Sequence, residues 1–147
     1  MTPSSRTAPR VLHIEDEAPI RLICRFEFEL NGMEVLEAAD GLTGLELARR
    51  EFPDLIVLGV LMPGLDGWSV ARRLLDDPAT RDIPIVFLTT LPDTGTALLM
   101  GAAEFIRMPF DPAALVGVIQ ELLALSVDER EQRRREKLHR VWARDDV

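Results

Sequence analysis

The sequence predicts an α/β fold, a doubly wound five-stranded parallel sheet with helices on both faces. Short apolar runs typical of buried strands alternate five times with segments whose apolar residues follow helical spacing. One run, residues 55–60, reads Leu-Ile-Val-Leu-Gly-Val and contains no polar side chain. A strand that is apolar on both faces is typical of the centre of a parallel sheet. The length of 147 residues fits one domain.

The first half of the chain predicts two strand–helix units. Residues 11–14 are strand-like, and a helix follows over residues 17–31, ending at the stop signal Asn31-Gly32. Residues 33–38 alternate as a second strand, and a helix runs from Asp40-Gly41 through Arg50. Each helix can form the crossover that connects two parallel strands of one sheet.

The second half predicts three further units. Asp111-Pro112 marks the last helix, because an aspartate cap followed by proline is a typical helix start. The predicted segments are a strand at 55–60, a helix at 68–75, a strand at 85–88, a short helix at 96–100, a strand at 103–107 and a helix after 112.

Charge and composition disfavour several classes of partner. The net charge of −8 argues against a nucleic-acid surface and against binding to an anionic membrane. No run approaches the roughly 18 apolar residues of a membrane span, and residues 1–9 are expected to be a disordered lead-in. The single cysteine, Cys24, cannot form an internal disulfide, so we expect a buried thiol and a cytoplasmic protein.

Functional residues of such a sheet are expected at the carboxyl ends of its strands. His13, within the first strand, is instead expected to belong to the core. The residues that the predicted strand ends bring together are Glu15, Asp16, Gly59, Leu61, Thr89, Thr90 and Met108.

Four motifs at these strand ends occur in a recognisable order. They are His13–Glu17, Asp54–Gly67 (Asp-Leu-Ile-Val-Leu-Gly-Val-Leu-Met-Pro-Gly-Leu-Asp-Gly), Ile83–Thr89 and Phe105–Phe110. Together they resemble the receiver domain of bacterial response regulators over residues 10–125. The resemblance implies a flavodoxin-like sheet with strand order 2-1-3-4-5. It also implies a module of a two-component system.

The family's chemistry, as the resemblance implies it, is transfer of a phosphoryl group from a histidine kinase to an aspartate. That aspartate ends the third strand, Mg²⁺ neutralises the transferring group, and a lysine in the fifth-strand motif pairs with the phosphate. Here the aspartate position is Gly59 and the lysine position is Met108. The only lysine of the chain, Lys137, lies far along the sequence. The degenerate phosphorylation site predicts that phosphorylation is lost.

The other positions of the pocket are retained. Glu15 and Asp16 form a remaining acidic pocket, for which we expect no specific metal or other cofactor and at most weak Mg²⁺ binding. Thr89 and Phe105 occupy the switch-like positions, with backbone capping and plain packing as their alternative roles. The aspartate and the lysine of the family's ion pair are both missing here, at Gly59 and Met108. Removing only one of them would leave a buried charge without a partner. The double loss therefore favours a natural change over a laboratory mutation at Gly59.

Residues 126–147 predict a charged helical extension in which the last helix continues past Leu125. Seven Lys/Arg oppose six Asp/Glu over residues 128–147, and acid–base pairs four residues apart support an exposed helix. Leu138, Val141 and Trp142 share one face near its end. We expect this patch to dock, either on its own body or on a partner, with homodimerisation at the extension favoured.

The leading hypothesis is a binding module that signals without aspartyl phosphorylation and is not an enzyme. Its expected partners are proteins, namely a sensor kinase, another regulator or a second copy of itself. The alternative is a phosphotransfer receiver that uses a displaced acidic residue such as Asp16. A third hypothesis is a structural homodimer without signalling input.

Overall fold

The protein is a parallel five-stranded sheet between two layers of helices. The computed structural model describes residues 7–90 and 101–145, with side chains described as far as Val141. The short helix expected at 96–100 lies outside these residues. The strands are β1 (Arg10–Ile14), β2 (Glu34–Ala38), β3 (Leu55–Gly59), β4 (Ile85–Thr89) and β5 (Glu104–Arg107). The helices are α1 (Ala18–Leu30), α2 (Gly41–Glu51), α3 (Gly67–Asp76), α4 (Pro112–Leu123) and α5 (Val127–Asp145).

The strand order is β2-β1-β3-β4-β5, with every neighbouring pair parallel. The predicted fold class and strand order are therefore confirmed. All five residues of β3 and of β4 are buried, as expected for strands covered on both faces. The strand β5 forms one edge of the sheet, and β2 forms the other.

The starts of the helices are marked by capping aspartates and first-turn prolines that can be recognised in the sequence. The side chains of Asp40, Asp66 and Asp111 accept hydrogen bonds from backbone N–H groups of the first turns of α2, α3 and α4. Proline occupies the first turn of α1 and of α4, where its missing N–H costs nothing. These caps fix where each helix leaves the carboxyl end of the preceding strand.

Two apolar clusters hold the layers together, one on each face of the sheet. One contains Leu12, Ile56, Phe87 and the buried residues of α2 and α3, and Trp68 packs on Phe87 with ring centroids 4.7 Å apart. The other joins Val57 and Val86 to the buried residues of α1 and α4. Burial on both faces leaves the strand ends as the place where polar side chains converge.

Glycine at position 67 allows α3 to approach the carboxyl end of β3. A Cβ atom there would lie 2.1 Å from the carbonyl oxygen of Gly59 and 2.8 Å from Cα of Val60. The backbone N–H of Gly67 donates to the carbonyl of Val60 at 2.8 Å. The loop between β3 and α3 is thereby closed tightly against residue 59.

The chain is helical beyond Leu125, as predicted, but in a separate helix and not as a continuation of α4. Ser126 begins α5 with a reciprocal cap: its hydroxyl accepts from the backbone N–H of Glu129, and the Glu129 carboxylate accepts from the backbone N–H of Ser126. The Ser-x-x-Glu pattern is visible in the sequence. This cap separates α4 from α5 and allows α5 to run in a new direction.

Candidate functional site

The carboxyl ends of β1, β3, β4 and β5 surround one small cavity of about 110 Å³. The sequence-predicted residues meet there, apart from Asp16, which follows Glu15 and is partly buried beside it. The lining residues are Glu15, Glu17, Gly59, Val60, Leu61, Leu88, Thr89, Thr90 and Met108. The clustering expected from the strand pattern is therefore what the fold produces.

The carboxylate of Glu15 occupies the space beside Gly59. A Cβ atom built on Gly59 would lie 2.8 Å from Oε1 of Glu15 and 3.5 Å from its Oε2. The side chain of Glu15 is buried, and its Oε2 accepts a hydrogen bond from the backbone N–H of Glu17 at 3.2 Å. The space into which a side chain at position 59 would extend is thus filled by the acid that directly follows β1.

Burial makes the Glu15 carboxylate hard to ionise. Loss of hydration, and after it a hydrogen bond with the Asp16 side chain, raise the pKa of Glu15 from 4.5 to about 7. The N–H of Glu17 opposes the shift by stabilising the charged form. Near neutral pH Glu15 is therefore substantially protonated, and this proton takes the place of a neutralising lysine.

The pH dependence of stability tests this protonation. The folded state holds a proton on Glu15 between pH 4.5 and 7 that the unfolded chain releases, so Glu15 lowers the free energy of unfolding as the pH rises through this window. The variant Glu15→Gln keeps a neutral side chain and should lose this dependence. Urea unfolding at about pH 5 and about pH 8 measures it: wild type should lose stability relative to the variant.

The control for this experiment is Glu46→Gln, at an exposed position of α2. Burial of His13 lowers the pKa of that imidazole to about 4, which gives a slope of opposite sign over part of the same range. Because His13 is present in all three proteins, its contribution cancels in the differences. Parallel curves for wild type and Glu15→Gln would contradict a protonated Glu15.

The other side of the cavity is apolar where the family resemblance expects a lysine. Met108 is half-buried and packs against the cluster under α1 and α4. Its backbone N–H donates to the carbonyl of Thr89 at 2.8 Å, which ties the end of β5 to the end of β4. Thr89 is buried, whereas Thr90 is exposed. Among the residues that the structure describes, none that lines the cavity is a lysine or an arginine.

Two residues assigned to the core by sequence are there. His13 is fully buried and lies 6.2 Å from the ring of Phe28, centroid to centroid. Cys24 is fully buried, and burial raises the pKa of its thiol to about 12, so it is inert as a nucleophile at neutral pH. Neither residue contributes a reactive group to the cavity.

Comparison with known proteins decides the family. Residues 11–120 match the family described as the response regulator receiver domain. The chain belongs to this receiver-domain family. The sequence-predicted membership is therefore confirmed, and with it the role of a signalling domain of two-component systems.

Individual relatives support the same family assignment. The chain is 41% identical over 130 residues to "Response regulator PleD" of Caulobacter vibrioides, covering 84% of this chain and 28% of that protein. It is 39% identical to "Probable transcriptional regulator ycf27" of Porphyridium aerugineum, covering 78% of this chain and 48% of that protein. The receiver thus spans about a quarter to a half of the curated relatives it matches.

A solved structure matches the fold closely. The signal receiver domain of a signal transduction histidine kinase from Syntrophus aciditrophicus superposes with a TM-score of 0.75 at 30% identity. The match covers 80% of this chain and 91% of that one. None of the helices in the described part of this receiver is long and apolar enough to cross a membrane.

A second polar site, which the sequence reasoning missed, joins α5 to β5. Glu104 on β5 is 3% exposed and pairs with Lys137, while its other oxygen lies 3.4 Å from Nη2 of Arg133. Lys137 also lies over the ring of Phe105, 5.5 Å from its centroid. Successive side chains of a strand point to opposite faces, so a lysine that reaches both lies beside the sheet edge.

The first turn of α5 is fixed to the opposite end of the sheet. Arg130 donates to the carbonyl of Asp82 at 3.1 Å, just before β4, and to the carbonyl of Leu125 at 2.8 Å. Farther along, Arg133 also lies 3.2 Å from Glu121 of α4. The sequence does contain a signal for this docking: Glu104 is the one acidic residue of the fifth strand, and Lys137 is the one lysine of the chain.

Neutralising both cations should weaken the fold. In Arg133→Ala/Lys137→Ala the buried Glu104 carboxylate loses its partners, and we expect about 3 kcal/mol less unfolding free energy, the lower end of the cost of stranding a buried charge. The lower end applies because α5 can lift away and let water reach Glu104. Urea unfolding and amide exchange in β5 measure the effect.

The matched control is Arg135→Ala, since Arg135 on the same helix is 74% exposed and pairs only with Glu131 at 3.2 Å among the described residues. Surface pairs of this kind contribute about 0–1 kcal/mol. If the double variant loses no more stability than this control, the ion pairs do not hold α5 in place.

Proposed function

We propose that this receiver signals by docking to protein partners and does not accept a phosphoryl group. The observation that carries the proposal is the end of β3, where Gly59 offers no side chain and the carboxylate of Glu15 fills the adjoining space. Met108 supports it, because a thioether cannot pair with the charge of a phosphoryl group. The partners we propose are a sensor kinase, another regulator or a second copy, in the cytoplasm.

The acidic residues that remain are poorly suited to replace the missing nucleophile. Attack on a phosphoryl group needs an ionised carboxylate and a cation that neutralises the developing charge. Glu15, whose pKa is raised to about 7 by burial, is substantially protonated near neutrality. Asp16, the displaced residue of the alternative hypothesis, is only partly buried and does not line the cavity.

Acetyl phosphate provides the direct test. With Mg²⁺ present, the intact mass of the chain should remain unchanged, because no carboxylate at the end of β3 can accept the group. The variant Gly59→Asp/Met108→Lys serves as the control, since it returns both side chains that the family chemistry uses. A stable gain of one phosphoryl group by the wild type, mapped to the cavity, would refute the proposal; mapping to Asp16 would establish the alternative.

We propose that Mg²⁺ binds too weakly to act as a resident cofactor. Mg²⁺ prefers six oxygen ligands in octahedral geometry and is usually held by one or two carboxylates with several waters. Here position 59 supplies no oxygen from a side chain, and Glu15 and Asp16 are joined by a hydrogen bond. The donors present therefore fit a proton better than a divalent cation, and no chemical step is assigned to the metal.

Calorimetric titration checks the metal proposal. Wild type should show no saturable heat with Mg²⁺ at about neutral pH, and Gly59→Asp should bind measurably because it adds a carboxylate beside Glu15. Saturation of the wild type well below about 1 mM would contradict the proposal, since that affinity would indicate a built carboxylate site.

The paired-loss interpretation of Gly59 and Met108 has a consequence for stability. Gly59→Asp should lower the unfolding free energy by about 1–3 kcal/mol. Its Cβ must displace the Glu15 carboxylate, which lies 2.8 Å away, and its charge has no lysine partner. Adding Met108→Lys should recover part of the loss. Urea unfolding measures both variants.

Gly59→Asn is the matched control for this pair, because asparagine has the size of aspartate without the charge. Asparagine should show the steric cost only and should gain nothing from Met108→Lys. Equal stability of Gly59→Asp with and without the lysine would count against a coupled pair.

We propose that the extension formed by α5 acts chiefly on its own body. The sequence left two choices for the patch of Leu138, Val141 and Trp142, namely its own body or a partner. Leu138 and Val141 are half-buried, and Lys137 beside them pairs with Glu104 of β5. Trp142 lies beyond the described side chains. These contacts support docking within the chain, so the partner surface is sought elsewhere.

A role in nucleic-acid binding is not proposed for this segment. The ycf27 protein of Porphyridium aerugineum carries the name of a transcriptional regulator, but this chain corresponds to about half of its length. The basic residues of α5 are largely engaged with acids: Arg133 and Lys137 pair with Glu104, and Arg134 pairs with Glu131. The net charge of −8 supports a protein partner instead.

A further inference from the structure

Helix α1 carries an apolar surface on the side that faces away from the sheet. Its inner face is buried through Cys24 and Phe28. On the outer face Leu22 is 58% exposed, Ile23 50%, Phe26 68% and Leu30 70%. We call these four side chains the α1 ridge. Three of them are spaced four residues apart, so they form a continuous row along the helix.

We propose that the α1 ridge is a homodimer interface, in which α1 packs antiparallel against α1 of a second copy of this chain. The inference gives the proposed docking role a partner and a surface. The two proposals can be tested separately. If the chain stays monomeric and still does not accept a phosphoryl group, the dimer proposal is wrong and the proposed function stands.

The exposed area is large enough to drive association. A phenylalanine side chain can bury about 150–250 Å², and Phe26 contributes most of such an area together with three largely exposed aliphatic side chains. The ridge therefore presents several hundred Å², the size of patch that marks interaction sites on monomeric proteins. Two ridges together approach the lower end of specific interfaces, about 1,200 Å² in total, so the expected dimer is in concentration-dependent equilibrium with monomer.

The order of residues along the ridge is symmetric about Phe26. Leu22 lies four residues before Phe26 and Leu30 lies four residues after it. A two-fold axis that reverses the helix direction therefore places Phe26 against its own copy and Leu22 against Leu30 of the second copy. An isologous interface needs this self-complementarity, and a ridge built for an unrelated partner does not.

Charges beside the ridge are arranged for the same pairing. Arg21 and Arg25 lie along one flank in the first half of α1, and Glu29 lies on that flank in the second half. Reversing the helix brings Glu29 of the second copy alongside Arg25. Arg21 is only 20% exposed and is held within the chain, by the carbonyl of Glu15 at 2.6 Å and by Glu37 at 3.7 Å. Arg25 is bound to Glu37 at 2.7 Å but remains 45% exposed, so it can also face an acid across the interface.

Self-association can be measured on the full chain by sedimentation velocity across a range of concentrations at physiological ionic strength. Wild type should show a dimer that grows with concentration. Phe26→Ser should weaken dimerisation by at least about tenfold, because it removes the central side chain from both copies. Leu42→Ser is the matched control, since Leu42 on α2 is 64% exposed on the other face of the sheet.

The charge arrangement has its own test. Arg25→Glu and Glu29→Arg should each weaken the dimer, and the combined variant should recover most of the wild-type affinity because the complementary pattern is restored with its signs exchanged. Urea unfolding of each variant separates loss of association from loss of folding.

A cysteine at position 26 identifies the interface directly. Under mild oxidation Phe26→Cys should give a disulfide-linked dimer, whereas Leu42→Cys should not; the native Cys24 is buried and inert. The proposal is overturned if wild type is monomeric throughout, if a dimer persists unchanged in Phe26→Ser, which would place the interface on another surface such as α5, or if both cysteine variants cross-link alike.

Discussion

The approach of the Glu15 carboxylate to Gly59 is the contact on which the site depends. Glycine leaves a space at the end of the central strand, and an acid from the neighbouring strand fills it, with Oε1 only 2.8 Å from where a Cβ would begin. Glu15 is buried, so its pKa is raised and it is substantially protonated near neutral pH, which lessens the need for a lysine opposite it. Methionine at position 108 is then an acceptable neighbour. Gly59, Glu15 and Met108 are thus compatible with one another in a single packing arrangement.

A second buried acid lies at the edge of the sheet, and it is neutralised in a different way. Glu104 is also buried, but it has cations, supplied by Arg133 and Lys137 of α5. The two buried acids thus differ in how their charge is neutralised: Glu15 by a proton and Glu104 by ion pairs. The first therefore depends on pH in the neutral range, and the second depends on whether α5 remains docked.

Much of the fold could be predicted from the sequence because its signals are local. The apolar run at 55–60 identified the central strand, and Asp111-Pro112 located the start of α4. The separation of α5 from α4 was not anticipated, although the Ser126–Glu129 cap is itself a local pattern; favourable acid–base spacing past Leu125 outweighed it. At the site, the glycine at position 59 and the methionine at position 108 could be read directly from the sequence. The proximity of Glu15 to position 59 could not, since it depends on the strand register and on a rotamer.

The use of the only lysine to hold α5 gives this receiver an unusual chemical property. All its other basic side chains besides two histidines are guanidinium groups, so its single ε-amino group lies at the contact between β5 and α5. Acetylation at that one nitrogen would abolish its charge and leave Glu104 with Arg133 alone. The reactivity of this ε-amino group towards amine-selective reagents therefore reports whether the last helix is docked.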